Sequence, residues 1–228
     1  MANRYWVGGT GTWDNSNTTN WSASSGGAGG ASIPTSSDAA IFDASSGAGV
    51  CTASICNCLT LVCTGYTGTL TGNVTVSGTA ITLSSGGTYT GLGIQAGASC
   101  TFTSVGKTIA YLIVDTGTVT VTCADAMSAT SAEIKNAGTL LLKNGVTSTI
   151  NTLTTTAGVA NRNLRSTTGG SQATLTGSGI TNTLQNITVQ DIAFTGTNIW
   201  RAGGNFVNNG NVTGIISSLA SLAILELF

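Results

Sequence analysis

The chain contains no histidine, one proline and very few charged side chains. Only 7% of its residues are Asp, Glu, Lys or Arg, whereas an average soluble domain has about 25%. Without histidine, no Ser-His or Cys-His catalytic pair can form. A formal net charge of −1 gives no electrostatic reason to expect nucleic acid or an anionic membrane as a partner. Because 41% of the residues are hydrophobic, the composition also differs from that of a disordered chain.

Threonine, glycine and asparagine are abundant instead, and these residues favour strands and turns. From about residue 44 to residue 212, short segments of alternating apolar and polar residues follow one another, with Gly, Asn or Ser between them. Examples are "NVTVSG" from Asn73, "TVTVTC" from Thr118 and "GTLLLKNG" from Gly138. Alternation with a period of two is the pattern of a half-buried strand. We therefore predict an all-β protein.

The spacing of the turns favours a β-solenoid, also called a parallel β-helix. The turns recur sooner than the roughly 8–12 residues typical of a sandwich. Successive turns of about 20 residues, each with about three strands, would account for so many short strands. The similar segments "GTVTV" at Gly117 and "GTLLL" at Gly138 are 21 positions apart, as neighbouring turns would be. A β-sandwich or jelly roll is the alternative, although it requires longer strands.

The sequence divides into three zones, which are an N-terminal cap or attachment segment (1–43), a solenoid (44–212) and an apolar tail (213–228). The first zone contains Trp6, Trp13 and Trp21, three of the four tryptophans in the chain. A solenoid needs a cap at each end because its terminal turns lack a neighbour that covers their apolar interior. We predict that these three indoles cap the first turn.

The six cysteines are Cys51, Cys56, Cys58, Cys63, Cys100 and Cys123. The C-x-C spacing of Cys56 and Cys58 is narrower than the spacing that zinc sites usually have. In a strand, these two side chains would point to the same face. We predict buried free thiols that fill a narrow interior, and we predict no cofactor; a zinc site or disulfides are the alternative.

Both ends of the chain resemble a known family. The opening "YWVGGTGTWDNSNTTNWS", the following "IPTSSDAAIFD" and the closing "LQNITVQDIAFTGTNIWRAGGNFVNNGNVTG" are similar to Gly/Thr-rich β-helical virion surface proteins of tailed bacteriophages. The resemblance implies a non-enzymatic structural protein of the virion, of the tail fibre, spike or capsid decoration type, made in the host cytoplasm. It implies no catalytic residues. The expected partners of such a protein are further copies of itself, which form a homotrimer, and other virion proteins. During host adsorption, a surface glycan is a further expected partner.

The apolar tail is the predicted contact with these partners. Its only charged residue from Ile215 onwards is Glu226. The segment is shorter than the roughly 20 residues that a membrane-spanning helix needs. A soluble monomer rarely exposes so large an apolar patch. We therefore predict that the tail contacts another subunit or the particle through Ile215, Ile216, Leu219, Leu222, Leu225 and Phe228.

Two other classes of protein fit parts of the pattern. The first is a bacterial surface adhesin of the autotransporter type, but we find neither a signal peptide nor a C-terminal barrel. The second is a polysaccharide-degrading tailspike, which needs two carboxylates on either side of a sugar. Asp115 and Asp125 follow strands about half a turn apart and could share a face. Acids in turns more often bind backbone amides, so we predict that Asp115 and Asp125 are not a catalytic pair. For the same reason we predict an Asx turn at Asp14 rather than a calcium site.

Overall fold

A computed structural model of the protein describes residues 1–115, 117–155 and 161–217. Within these ranges the chain is almost entirely strand, with one short 3-10 helix at Ala44–Ser46 and no α-helix. The strands form two long parallel sheets around one continuous apolar core. The prediction of an all-β solenoid is therefore confirmed, and the sandwich alternative is wrong.

The strands have the following bounds: β1 Asn3–Trp6, β2 Gly11–Trp13, β3 Trp21–Ser22, β4 Ala39–Ile41, β5 Val50–Cys58, β6 Thr60–Val62, β7 Thr69–Val76, β8 Ala80–Thr82, β9 Leu92–Ala96, β10 Cys100–Thr103, β11 Thr108–Val114, β12 Thr120–Cys123, β13 Ser128–Ile134, β14 Thr139–Leu142, β15 Thr147–Thr155, β16 Arg162–Ser166, β17 Ala173–Gly177, β18 Thr181–Leu184, β19 Ile187–Gln190, β20 Ile192–Gly196, β21 Ile199–Ala202 and β22 Phe206–Asn208.

Most turns contribute one strand to each long sheet. Sheet A has the order β22-β19-β16-β14-β12-β10-β8-β6-β4-β1-β3, and sheet B has the order β2-β5-β7-β9-β11-β13-β15-β17-β20. A small third sheet pairs β18 with β21. The prediction of about three strands per turn is thus wrong for most turns. Most of the described segments between the two sheets are turns that contain Gly or Asn and include no further strand.

The predicted turn length is close to the observed one, but the predicted register at Gly117 is wrong. Leu61 lies beside Ile81, and Ile81 lies beside Phe102, so one turn takes up about 20 residues, as a solenoid repeat does. The sequence comparison of "GTVTV" at Gly117 with "GTLLL" at Gly138 predicts an offset of 21 residues between the two strands. In the structure Val121 lies beside Leu140, so the offset is 19 residues. A slip of two positions leaves every side chain on the same face, so the alternating pattern cannot detect it.

The N-terminal zone belongs to both long sheets. Strands β1 and β4 pair in parallel in sheet A, and β2 pairs with β5 in sheet B. Among the described strands, only β3 runs antiparallel to its neighbour, β1, and it forms the outermost strand of sheet A at this end. This strand covers the hydrogen-bonding edge of β1, an edge that would otherwise be free to pair with another chain.

A β-bulge interrupts β5. Its pairing with β7 shifts between Ala53 and Cys56, so β5 has an extra residue at this point. Ile55 adopts a left-handed conformation there, with φ of 52°, and its side chain is 71% exposed. The extra residue changes the alternation, and Cys51, Ala53 and Cys56 therefore all point into the core.

The turns widen near the C-terminal end. Only the first part of β15, Thr147 to Thr149, pairs with β17. Further along β15, the side chain of Asn182 takes the place of a strand partner: its Oδ1 accepts from the Leu153 N–H (2.7 Å), and its Nδ2 donates to the Asn151 carbonyl (3.0 Å). These bonds satisfy backbone groups that would be costly to leave unpaired in the interior.

Candidate functional site

A cluster of aromatic rings fills the interior of the first turn, at the N-terminal end of the solenoid. Trp6, Trp13 and Trp21 are fully buried, and each contacts the ring of Phe42. The Trp6 and Trp13 rings each meet the Trp21 ring edge-on, with centroid distances of 5.3 and 5.1 Å. Tyr66 continues the cluster into the next turn, 5.2 Å from Phe42. We call these five residues the aromatic plug.

The strands of the first turn position the plug. Trp6 and Trp21 are paired directly across β1 and β3, and Trp13 ends β2 beside Ala53. Aromatic pairs at these distances stabilise a fold beyond the area that they bury. The structure therefore brings the three tryptophans of the sequence prediction together in the interior of the end turn. Their role as a cap stays a prediction.

Two indole N–H groups in the plug have no hydrogen-bond partner in the described residues. Trp6 donates from Nε1 to the Gly9 carbonyl (3.1 Å), whereas Nε1 of Trp13 and of Trp21 are buried and unpaired. A buried donor without a partner costs about 1–3 kcal/mol. The plug is therefore held by ring packing, and part of that stabilisation is offset by two unsatisfied donors.

The six cysteines lie in the core beyond the plug. All of them are buried and carry free thiols, so the prediction that they fill the interior is confirmed. The thiol of Cys56 donates to the Trp13 carbonyl at 2.8 Å and so joins this group to the plug. In the described part of the chain, no group of three or more His, Cys, Asp or Glu residues is arranged to hold a metal ion.

Burial makes these thiols very weak acids. It raises the pKa of Cys56 and of Cys100 to about 11 and that of Cys63 to about 12, from an ordinary value of 9.0. The thiolate is the reactive form, so such groups are poor nucleophiles and poor metal ligands near neutral pH.

We expect the thiols to be inaccessible in the native protein and free in the unfolded one. Iodoacetamide at pH 8 should leave the folded chain unmodified because its thiols are buried and protonated. The same reagent on the unfolded, unreduced chain should modify six thiols, counted by intact-mass spectrometry. A count below six would reveal disulfides, and zinc in the native protein would support the metal site instead.

Most of the acids in the described turns bind backbone amides. Asp14 accepts from the N–H groups of Ser16 (2.8 Å) and Asn17 (2.7 Å), which confirms the predicted Asx turn. These bonds, the one from Ser16 first, hold the pKa of Asp14 below its usual value. Asp191 accepts from the Gly170 N–H at 3.0 Å.

The structure does not bring Asp115 and Asp125 onto one face. Asp115 lies in the turn that leads from β11 to β12, and Asp125 lies in the turn that leads from β12 to β13, at the opposite edge of the sheets. Asp125 is also engaged by the backbone N–H groups of Ser104 (2.9 Å) and Val105 (2.6 Å). The suggestion of a shared face is therefore wrong.

The C-terminal end has an open strand edge among the described residues. Strand β22 is the outermost strand of sheet A there, and Val207 within it is 50% exposed. Ile215 packs on the core, whereas Ile216, 47% exposed, pairs with Arg201 as the start of a further turn. The other four residues predicted to make contacts, Leu219, Leu222, Leu225 and Phe228, lie outside the described residues.

Together, the stacked turns and the two long parallel sheets define the protein as a parallel β-solenoid with a cluster of aromatic rings in its N-terminal turn. Comparison of the chain with protein-family models, curated protein sequences and solved structures finds no match. The described residues include no helix of the length and apolarity that crossing a bilayer requires.

Proposed function

We propose that the chain is a non-enzymatic structural protein on the surface of a bacteriophage particle, either a capsid decoration or a component of a tail fibre or spike. One observation supports this proposal most strongly, namely the difference between the two ends of the solenoid. At the N-terminal end the aromatic side chains are buried in the plug, whereas the described C-terminal end exposes the apolar side chains of Val207 and Ile216 at and beside the edge strand β22. An open, apolar strand edge is a place where other chains can pair.

The proposed contact consists of this edge together with the apolar tail. Val207 and Ile216 are exposed beside the position from which the tail continues. The sequence from Leu219 to Phe228 has one charged residue, Glu226, so it can bury apolar surface against a partner. In our proposal, three copies associate through this end, and the assembly attaches to other virion proteins there. The similarity of both chain ends to phage β-helical proteins supports the same assignment.

Removal of residues 218–228 is the test of this contact. The truncation leaves Ile215 on the core and Ile216 beside Arg201, so the solenoid should stay folded. We expect the full-length chain to have the mass of a trimer in light scattering, and the truncated chain to have the mass of a monomer. A truncated chain with an unchanged mass in solution would contradict the oligomer contact.

A point variant serves as a control for the truncation. Val207→Lys places a charge on the exposed edge strand, where lysine opposes pairing with other strands, and it leaves the tail intact. We expect this variant to weaken the trimer at an unchanged melting temperature. Imaging of phage particles labelled with an antibody against the protein then tests the virion assignment itself, because no label on any particle surface would exclude it.

A further inference from the structure

The outer face of sheet B carries two adjoining depressions, each of about 210 Å³. The first lies over β5 to β11, and the second lies over β11 to β15. Tyr111 lines both of them, so its side chain separates one from the other. It is the only aromatic residue on the outer face of this sheet among the described residues. The first depression is further lined by Ile55, Asn73, Val74, Thr75, Gly93 and Gln95.

The ring of Tyr111 lies across its neighbouring strand. Asn73, Gly93 and Tyr111 occupy paired positions on β7, β9 and β11. Gly93 is buried under the ring, and a Cβ atom at that position would collide with the ring atoms of Tyr111. Beyond Gly93, the Tyr111 hydroxyl donates to Oδ1 of Asn73 at 2.6 Å. One face of the ring is therefore packed on backbone, and the other face is turned to solvent as a flat apolar surface.

The bulge residue Ile55 forms an exposed edge of the first depression. A left-handed backbone is unfavourable for a β-branched residue such as Ile55. Its apolar side chain is 71% exposed and therefore contributes little hydrophobic stabilisation. Such strain is found most often at sites of function, and bulges commonly redirect a side chain next to such sites. Ile55 therefore combines strain, exposure and proximity to the ring of Tyr111, as a residue that contacts a ligand would.

Polar groups surround the two apolar surfaces, which are the ring of Tyr111 and the side chain of Ile55. In the described residues, Nδ2 of Asn73 and Oε1 of Gln95 have no hydrogen-bond partner, while Nε2 of Gln95 donates to Asp115. The neighbouring charges are those of Asp115, Glu133 and Lys135, with Lys135 Nζ 3.7 Å from a Glu133 carboxylate oxygen. The Arg162 guanidinium also interacts electrostatically with Glu133, so the two carboxylates are balanced by two cations, and this balance favours a neutral ligand over a charged one.

We propose that this surface is a binding site for neutral oligosaccharides. A sugar ring has an apolar C–H face and a rim of hydroxyl groups, and the site offers the matching arrangement. The C–H face would lie on the Tyr111 ring and against Ile55, and the hydroxyls would pair with Asn73 and Gln95. The second depression, lined in part by Ser131, Glu133 and Thr154, accommodates the next sugar of the chain. The site is separate from the C-terminal contact, and the choice of bacterial surface glycans as its ligands rests on the proposed function.

Tyr111 variants test the proposal. The probe is a printed array of neutral and acidic oligosaccharides from bacterial capsules and lipopolysaccharides, followed by calorimetry with the best neutral binder. We expect wild type to bind neutral glycans, Tyr111→Ala to lose at least about tenfold in affinity, and Tyr111→Phe to stay within about threefold because it keeps the ring. Tyr5→Ala, which removes a half-buried tyrosine from sheet A, is the matched control and should bind as wild type does.

A second variant separates binding from folding. Ile55→Gly relieves the left-handed strain, so the melting temperature should rise while glycan affinity falls. Three results would overturn the proposal: a wild type that binds no neutral glycan on the array, a wild type that binds acidic glycans only, and neutral-glycan binding that Tyr111→Ala retains. If the full-length chain does not have the mass of a trimer in light scattering, that result contradicts the C-terminal contact and leaves the glycan-binding site unaffected.

Discussion

Raising the pH from 8 to 10 is expected to remove about 8 kcal/mol from the free energy of unfolding, through the titration of the buried thiols. Burial raises the pKa of each thiol above its ordinary value of 9.0, so the folded chain keeps protons that the unfolded chain releases. This contribution to stability is complete well below pH 9 and is lost as the pH rises further. At pH 10 the loss is about 1.4 kcal/mol for each of the six thiols.

Because small domains are stable by only about 5–15 kcal/mol, the protein should unfold between roughly pH 10 and pH 11. Burial also raises the pKa of Tyr66 and Tyr89, and these groups add to the effect above pH 10. Denaturant titrations at pH 8, 9 and 10 in the presence of reductant measure the loss. Stability that is unchanged between pH 8 and 10 would show that the thiols are not held protonated in the core.

A variant without one of the buried thiols is the control for the alkaline experiment. Cys123→Ala removes a fully buried group from the core, so the variant starts from a lower stability at pH 8. Its loss of stability between pH 8 and 10 should nevertheless be smaller than that of wild type by about one-sixth. An identical pH dependence in the two proteins would assign the effect to other groups.

Trp13→Ala is expected to destabilise the protein by about 3–5 kcal/mol. The indole is fully buried and packs against the rings of Trp21 and Phe42, so truncation leaves a cavity in the plug. Thermal and denaturant unfolding measure the change. A melting temperature equal to that of wild type would show that the tryptophans do not cap the solenoid.

Trp13→Phe distinguishes ring packing from the hydrogen-bonding capacity of the indole. Phenylalanine keeps an aromatic ring at this position and removes the buried Nε1 donor, which has no partner in the described residues. We expect this variant to lose clearly less stability than Trp13→Ala, because the lost ring volume is partly offset by removal of the unsatisfied donor. Equal losses in the two variants would mean that the ring contacts contribute little.

The architecture was predictable because it follows from repetition. Alternating Thr and apolar residues with frequent Gly and Asn turns allow few folds other than a stack of short strands. The regular offset between paired strands along most of the chain agrees with that prediction. The burial of the tryptophans and cysteines was predictable for the same reason, since a narrow solenoid interior is the main apolar environment in the chain.

The features that break the repetition could not be predicted. The bulge at Ile55 changes the alternation of β5, and the sequence "TASICNC" contains no signal for a left-handed isoleucine. The side chain of Asn182 substitutes for a strand, which is a long-range contact that no local pattern encodes. The site at Tyr111 depends on Gly93 of the preceding turn lying under its ring, and this requires the exact register of two turns.

The position of the aromatic plug in the first turns has a consequence for how the chain folds during synthesis. All five rings of the aromatic plug are supplied by residues up to Tyr66, so the plug is complete while most of the polypeptide is still unmade. Along most of the solenoid, each later strand then pairs with the strand of the turn that left the ribosome just before it. Stacked repeats depend mainly on their nearest neighbours, and domains begin to fold from the N-terminus as they emerge. We therefore expect the order of translation to be the order of stacking as well, with the growing edge advancing along the nascent chain.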